Sequence, residues 1–372
     1  MNTPQTIIPP DMLLASVPLF WPLMATKKIA EDGLDLFVRH TKALDEGVKI
    51  FRDLRPKLAT PNEVRLELRT MTLRDYGRPA PIPTLVDAPY AGHSAMIADY
   101  SEGQSLVATL LDNGVGHVAL TDWKSASPDM KDFDIDNYLA DMVVAIDDLG
   151  GKVNLVGLCQ GGWMSAMIAA RFPEKVNSLV IAGSPIDTEA GDGPLKHMVQ
   201  LAPPNFYEEL VATGGGLMRG EIMLQGWKNM NPAQHYLHEP ADLFMQIDDP
   251  DYVKKTEVFA SWYEHPLNLP GRWYLQAIAQ LFKENRFCKG EFIGLGRKLD
   301  LKNIVCPTYL LAGAADTITT SEQVMIAAKL IGTHADKIVS RIAPGGHVGL
   351  FMGERTLKET WPEIGRWIVQ QQ

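Results

Sequence analysis

One short stretch constrains the fold of this chain more than any other. An apolar run over residues 152–158 contains β-branched side chains and predicts a buried strand, and a pattern rich in alanine and methionine that predicts a helix begins after Gly161. Cys159 lies between them, in the pattern Gly157-x-Cys159-x-Gly161, which is the cysteine form of a nucleophile elbow. In such a turn glycines let the backbone cross closely, and the nucleophile stands at a helix N-terminus that favours a thiolate.

The same pattern also fits a buried structural cysteine on a glycine-rich turn. Cys288 and Cys306 lack the flanking glycines, and we expect them to be packing residues. The interpretation of Cys159 as a nucleophile therefore depends on its partners elsewhere in the chain.

Composition limits the class of protein. The chain has 372 residues, of which 46% are hydrophobic and 22% charged, and this is ordinary for a protein with a large buried core. A formal net charge of −10 argues against a general nucleic-acid binder. Three cysteines are too few for a disulfide framework and indicate a reducing compartment, and the first residues lack the basic segment of a secretory signal. The apolar run over residues 13–25 is too short to span a bilayer, so we expect a cytoplasmic protein.

Strand and helix patterns alternate through much of the chain. Predicted strands cover residues 63–73, 84–88, 116–122, 176–182, 307–313 and 337–342 in addition to the elbow strand. Predicted helices lie between most of them, and a closing helix is predicted over residues 354–369. Alternation of this kind is typical of an α/β fold with a mainly parallel sheet flanked by helices. It stops over residues 186–298, which carry many large apolar side chains. We therefore predict an N-terminal helical arm in residues 1–60, an α/β core in residues 61–185 and 299–372, and an inserted lid in residues 186–298.

Two further residues complete a catalytic set. His347 lies in the glycine-rich loop Pro344-Gly345-Gly346-His347 after one predicted strand, and Asp316 follows another. The chain order of nucleophile, acid and histidine is that of the α/β-hydrolase fold, and each residue ends a different strand, so all three are expected at one edge of the sheet. The sequence predicts Cys159 as the nucleophile, His347 as its base and Asp316 as the orienting carboxylate.

The oxyanion of an acyl-transfer intermediate needs two N–H donors. We expect one from the backbone of Gln160 and the other from Tyr90 or Ala91, in the loop after the 84–88 strand. His93 in that loop either holds substrate or fixes the loop, and Trp163 on the elbow helix is a further candidate for substrate binding.

No cofactor or metal site is expected from the sequence. It contains neither a Walker-type loop nor a G-x-G-x-x-G after a strand. The pair His235-x-x-His238 has no neighbouring cysteine or histidine cluster to complete a metal site, and we interpret it as structural.

Taken together, these residues resemble the superfamily of polyhydroxyalkanoate synthases and intracellular depolymerases, over residues 84–367. The elbow Gly157-Leu158-Cys159-Gln160-Gly161-Gly162 is similar to that of the short, two-subunit synthases. Other matching motifs are Leu120-Thr121-Asp122-Trp123, Asp134-x-Asp136-Asn137-Tyr138, Asn268-Leu269-Pro270-Gly271, Asn285-x-Phe287-x-x-Gly290, Asp300-Leu301-x-x-Ile304-x-x-Pro307 and Pro344-Gly345-Gly346-His347.

The resemblance implies a thiol-dependent enzyme acting on 3-hydroxyacyl esters or thioesters, with Cys159 as the acyl-accepting thiol, His347 as base and Asp316 as third member. It also implies a small-molecule or polymer substrate, which includes the thioester of coenzyme A. A granule surface, a second subunit and a homo-oligomer are left open as partners.

Two loops depart from the synthase pattern. The synthases carry an asparagine where this chain has Tyr90-Ala91-Gly92-His93, and an Asp-His pair where Asp316 is followed by Thr317. Both departures resemble the intracellular depolymerases and a group of synthase-like hydrolases. We therefore expect hydrolysis, with polymerisation of 3-hydroxyacyl-CoA as the alternative and a non-catalytic granule-binding protein as a second alternative.

Overall fold

A computed structural model describes residues 41–43, 45–47, 49, 54–77, 80–230 and 238–372. The described residues form two compact units: the larger comprises Pro56–Met230 and His265–Gln372, and the smaller comprises those within Met1–Arg55 and Asn231–Glu264. Most of the predicted N-terminal arm and His235 lie outside the described residues. None of the helices in the described part of the chain has the length and apolar character to cross a membrane.

An eight-stranded sheet forms the centre of the larger unit. Its strands are β1 Glu63–Glu67, β2 Met71–Asp75, β3 Thr84–Asp87, β6 Val118–Trp123, β7 Val153–Leu158, β8 Val176–Ala182, β13 Thr308–Gly313 and β14 Ile338–Ala343. A separate ribbon comprises β4 Asp99–Ser101 and β5 Gln104–Ser105. The order in the central sheet is β1-β2-β6-β3-β7-β8-β13-β14; neighbouring strands from β6 to β14 pair in parallel, while β1 and β2 form an antiparallel edge. Every residue of β3, β7 and β13 is buried, as expected for parallel strands that are covered on both faces. The predicted α/β fold is confirmed.

Helices connect the strands. Those in the core are Leu106–Asp112, Ile135–Asp148, Gln160–Arg171, Ser321–Met325, Ala327–Leu330, Gly349–Met352, Glu354–Glu359 and Trp361–Gln370. Helix Ile135–Asp148 begins with a capping box, in which the Asp134 side chain accepts from the Asn137 N–H and the Asn137 side chain accepts from the Asp134 N–H.

Two predicted elements were wrong in detail. The single strand predicted over residues 63–73 is a hairpin of β1 and β2, closed by a hydrogen bond from the Leu68 N–H to the Met71 carbonyl at 2.8 Å. The closing helix predicted over residues 354–369 is two helices, because Pro362, at the start of the second, has no N–H to continue the ladder.

The segment between β8 and β13 adds no strand to the central sheet. Its part in the larger unit contains helices Pro194–Leu201, Phe206–Thr213, Gly220–Met230 and Gly271–Gln276, the π-helix Ala277–Lys283, and two short ribbons, β9 Leu217–Met218 with β10 Leu269–Pro270 and β11 Ile293–Gly294 with β12 Arg297–Lys298. Helices Glu239–Met245 and Pro250–Tyr263 belong to the smaller unit. That residues 186–298 act as a lid stays a prediction.

Candidate active site

The backbone at Cys159 has the geometry of a strained turn. Its φ of 51° and ψ of −117° lie in a region that L-residues rarely adopt, between the end of β7 and the helix Gln160–Arg171. A Cβ added at Gly157 would come within 2.4 Å of the Gly162 Cα, and one at Gly161 within 2.1 Å of the Asp87 carbonyl oxygen. The turn therefore needs glycine at both positions, which is the reason for the pattern seen in the sequence.

His347 lies beside this turn. The Cys159 N–H donates to the Ala182 carbonyl at 2.8 Å. The residue after Ala182 is Gly183, and a Cβ added to it would be 3.6 Å from the His347 Cε1, so His347 lies next to this part of the backbone. The imidazole lies close enough to the Cys159 side chain to be influenced by its charge, and the ring packs edge-on against Phe351 with centroids 5.5 Å apart. The structure thus brings together the nucleophile and the base that the sequence predicts.

The third candidate residue, Asp316, lies in the loop after β13, whereas His347 lies in the loop after β14. Its Oδ2 is 2.7 Å from the His347 Nδ1, and its Oδ1 accepts from the backbone N–H groups of Ile318 and Thr319, both at 2.9 Å. The two loops are joined by a hydrogen bond from the Ala315 N–H to the Gly345 carbonyl at 3.0 Å. With both carboxylate oxygens occupied, Asp316 is fixed in the position needed to orient the imidazole.

The charge state of the imidazole follows from these contacts. Burial, the largest influence, lowers the pKa of His347, but the charge of the Cys159 thiolate and the hydrogen bond to Asp316 outweigh it and raise the pKa to about 10. The arrangement therefore favours a protonated His347 at neutral pH.

The loop after β3 begins next to the elbow. The carbonyl oxygen of Asp87, the last residue of β3, would be only 2.1 Å from a Cβ added to Gly161. The Tyr90 side chain is fully buried, accepts from the Tyr138 hydroxyl at 2.9 Å and donates to the Asn268 carbonyl at 3.2 Å. The Gly92 carbonyl accepts from the Leu267 N–H at 2.7 Å. The loop predicted to supply the second oxyanion donor is therefore held at both ends.

The other predicted site residues lie in this loop or on the elbow helix. Ala91 lies between the two anchors of the loop and His93 directly follows the second, and both are partly exposed. Gln160 is the first residue of its helix, where a backbone N–H has no carbonyl one turn earlier to bond within the helix. Trp163, one turn further on, is buried and stacks on Trp273 with ring centroids 5.9 Å apart.

A buried carboxyl group that the sequence analysis missed also contacts the elbow helix. Asp87, at the end of β3, accepts from the Thr121 hydroxyl at 3.1 Å and from the hydroxyl of Ser165, on the elbow helix, at 3.3 Å. Burial raises the pKa of Asp87 to about 8, and the hydrogen bonds oppose that shift only in part. Its signal in the sequence is an acidic residue at the end of an apolar strand, Thr84-Leu85-Val86-Asp87.

The two remaining cysteines, Cys288 and Cys306, are poor nucleophiles. Burial raises the pKa of Cys288 to about 11, helped by Asp187, and burial also raises the pKa of Cys306 to about 11. Both thiols are therefore protonated at neutral pH and weakly nucleophilic.

Residues 78–358 match the family model described as "Protein of unknown function (DUF3141)". The chain belongs to this family. It is also similar to curated proteins of known name: it is 29% identical over 345 residues to the poly(3-hydroxyalkanoate) polymerase subunit PhaC of Allochromatium vinosum, an alignment that covers 88% of this chain and 91% of the relative. The subunit of the same name from Thiocystis violacea is 26% identical, with 92% of this chain and 96% of the relative covered.

Among solved structures, the monoacylglycerol lipase of Paleococcus ferrophilus superposes with a TM-score of 0.51 at 17% sequence identity, covering 81% of this chain and 99% of the lipase. That likeness shows the α/β-hydrolase fold. The resemblance to the polyhydroxyalkanoate synthase superfamily is confirmed by the named relatives, and the chain is an enzyme of the hydrolase-fold acyltransferase type.

Proposed function

We propose that this protein is a polyhydroxyalkanoate synthase, which polymerises 3-hydroxyacyl-CoA through Cys159. The observation that carries the proposal is the strained turn at Cys159 beside His347, whose Nδ1 is 2.7 Å from the Asp316 Oδ2. The names of the relatives favour polymerisation over the hydrolysis expected from the sequence, because the Allochromatium and Thiocystis proteins are both called polymerase subunits.

In the proposed reaction the Cys159 thiolate attacks the thioester carbonyl of 3-hydroxyacyl-CoA. The Gln160 N–H and an N–H of the loop 90–93 stabilise the oxyanion. Collapse of the intermediate breaks the bond to the sulfur of coenzyme A, His347 protonates that sulfur, and the acyl group remains on Cys159. His347 then removes the proton from the 3-hydroxyl of a second acyl unit, whose oxygen attacks the Cys159 thioester, so that an ester forms and the thiolate returns.

The two partners of Cys159 are shielded from bulk water, which supports this direction, while Cys159 itself is partly exposed. The side chain of Asp316 is fully buried and that of His347 is 9% exposed. A polymerising enzyme must keep water from the acyl-thioester through many cycles, and exclusion of water from the base serves that purpose.

Hydrolysis is the second candidate, favoured by the two loops that depart from the synthase pattern at Gly92-His93 and Asp316-Thr317. In that reaction water replaces the hydroxyl of the second acyl unit, with the same triad. A non-catalytic protein is disfavoured, since it would have no use for a strained Cys159 in contact with His347.

The purified protein should be offered 3-hydroxybutyryl-CoA and, separately, amorphous polyhydroxybutyrate. We expect release of coenzyme A with accumulation of polymer from the first and no acid from the second. Acid release from the polymer without polymer synthesis would make the protein a depolymerase. Because the two-subunit synthases need a partner, the assay is run both alone and with the partner subunit of such a synthase.

A further inference from the structure

The larger unit contains a pocket with a volume of about 310 Å³. Pockets that bind small organic molecules have volumes of about 300–1,000 Å³, so this one has room for such a ligand. None of the three candidate catalytic residues, Cys159, His347 and Asp316, is among the residues that line it. The acyl-transfer chemistry therefore leaves the pocket unexplained.

The pairing of β2 with β6 places an ion pair in the pocket wall. Thr72 lies opposite Asp122 in this antiparallel pairing, and Arg74 is two residues further along β2. Alternate residues of a strand share a face, so Arg74 and Asp122 lie on the same face of the sheet. The Nε and the Nη2 of Arg74 both donate to the Oδ2 of Asp122, at 3.0 and 2.9 Å.

This ion pair leaves part of the guanidinium group unused. The Nη1 of Arg74 has no acceptor among the described residues, and the side chain remains 29% exposed. Lys57, an exposed residue of the pocket wall, forms no ion pair within the described part of the chain. Asp122 is the only acidic residue in the wall, so two cations with unused donors face a single carboxylate.

Another part of the wall is apolar. Pro56 and Leu58 come from the segment before β1, and Met96 comes from a short helix after β3. The segment before β1 is fixed to the core, because the Thr60 hydroxyl donates to the buried Asp99 carboxylate at 2.7 Å. A ligand in the pocket would therefore meet cationic donors on one side and a fixed apolar surface on another.

We propose that this pocket binds a small organic anion, whose carboxylate or phosphate group is held by Lys57 and the Nη1 of Arg74 and whose apolar body packs against Pro56, Leu58 and Met96. Ammonium and guanidinium groups bind both kinds of anionic group through charge-assisted hydrogen bonds. An inorganic ion would leave the apolar wall without a partner, so the ligand is organic. The inference does not depend on the proposed function, because it concerns residues outside the triad.

The first experiment measures binding to the full-length protein by isothermal titration calorimetry with four probes. Hexanoate and hexyl phosphate combine an anionic group with an apolar body, hexanamide keeps the body without the charge, and inorganic phosphate keeps the charge without the body. We expect hexanoate or hexyl phosphate to bind more tightly than its control, and the tighter of the two identifies the anionic group. Absence of binding, or binding of each control as tight as that of its anion, would overturn the inference.

The second experiment locates the ligand, since the acyl site at Cys159 could also hold a hexanoyl chain. Protein with ¹³C-methyl-labelled methionine is titrated with the tighter probe, and the Met96 resonance is assigned by its loss in Met96→Leu. We expect the Met96 resonance to move with the Kd measured by calorimetry. An unmoved Met96 resonance under saturating probe would place the ligand elsewhere and overturn the inference.

The third experiment removes the cationic donors. Lys57→Met should raise the Kd about fivefold, the size of an exposed ion pair. Arg74→Lys keeps a positive charge beside Asp122 but lacks the second arm of the guanidinium group, and it should raise the Kd about tenfold. Lys298→Met, which changes an exposed lysine outside the pocket, is the matched control and should bind like the parent.

Circular dichroism verifies that each variant is folded. A parent Kd in folded Lys57→Met or in folded Arg74→Lys would overturn the inference. If Arg74→Lys does not fold, Lys57→Met decides alone, because its exposed side chain has no ion pair to lose among the described residues.

Discussion

Two buried carboxyl groups lie near the carboxyl ends of strands of the same sheet, Asp87 at the end of β3 and Asp316 in the loop after β13, and their surroundings differ. Asp316 accepts two backbone N–H groups and faces the Nδ1 of His347 at 2.7 Å. Asp87 is fully buried, accepts hydrogen bonds from the hydroxyls of Thr121 and Ser165, and has a pKa that burial raises to about 8.

These surroundings give the two aspartates different roles. Backbone N–H groups and a protonated imidazole stabilise a carboxylate, so Asp316 is suited to orient the charged base. Hydroxyls can donate or accept, so they accommodate a protonated carboxyl group, and the Asp87 contact to Ser165 fixes the elbow helix without a charge. We expect loss of Asp316 to impair catalysis and loss of Asp87 to alter stability.

The largest loss of activity is expected when Cys159 is replaced, the candidate nucleophile whose base His347 is oriented by Asp316. Cys159→Ala should lower the rate of acyl transfer by roughly 10³-fold or more, because covalent catalysis is lost. Removal of His347 as well should cost little more, since residues that act as a unit are not additive. Single and double variants are compared by thioester turnover, with circular dichroism to verify folding. Fully additive losses would show that His347 works elsewhere, and His93 would become the next candidate base.

The second prediction tests the comparison itself. Asp316→Asn should lower kcat by roughly 10²- to 10⁴-fold, because the amide neither holds the imidazole tautomer nor stabilises its charge. Asp87→Asn, the matched change in the other carboxyl group, should stay within about fivefold of the parent, since its hydroxyl partners can rebond to an amide. Equal losses of kcat in folded variants would contradict the division of tasks.

The smallest effect is the pH dependence of stability. Folded Asp87 keeps its proton to about pH 8, whereas the unfolded side chain loses it near pH 3.9. Between these values the unfolded state binds fewer protons, so this group makes the parent less stable as the pH rises. The Tm of Asp87→Asn minus that of the parent should therefore increase from pH 4 to pH 8 and level off above.

Thermal melts across this range are the measurement, and Ser165→Ala is the control. That variant removes one hydroxyl and keeps the carboxyl group, so it should retain the slope of the parent. A Tm difference between Asp87→Asn and the parent that is flat with pH would show that Asp87 is ionised in the folded protein.

The features that depend on neighbouring residues in the chain were predicted correctly from the sequence where a residue type marked them. The glycines at 157 and 161 identified the elbow because a Cβ at either position meets backbone atoms at 2.4 Å or less, a requirement that is visible in the sequence. The strand 176–182 was predicted with the bounds that the structure has, since its apolar residues are buried in the sheet. The hairpin within residues 63–75 was missed, because its turn at Leu68 to Met71 contains no glycine or proline to mark it.

The sequence by itself determined the α/β class, the strained cysteine turn and the chain order of the three candidate catalytic residues, because each depends on residue type and spacing along the chain. Only the tertiary structure decided which buried polar groups have partners. Asp87 and Asp316 look alike as acidic residues at or just beyond the ends of apolar strands. Their differences arise from atoms far away in the chain: the hydroxyl of Thr121 is 34 positions from Asp87, and His347 is 31 positions from Asp316. Hydrogen bonds across such separations exist only once the sheet has brought its strand ends together.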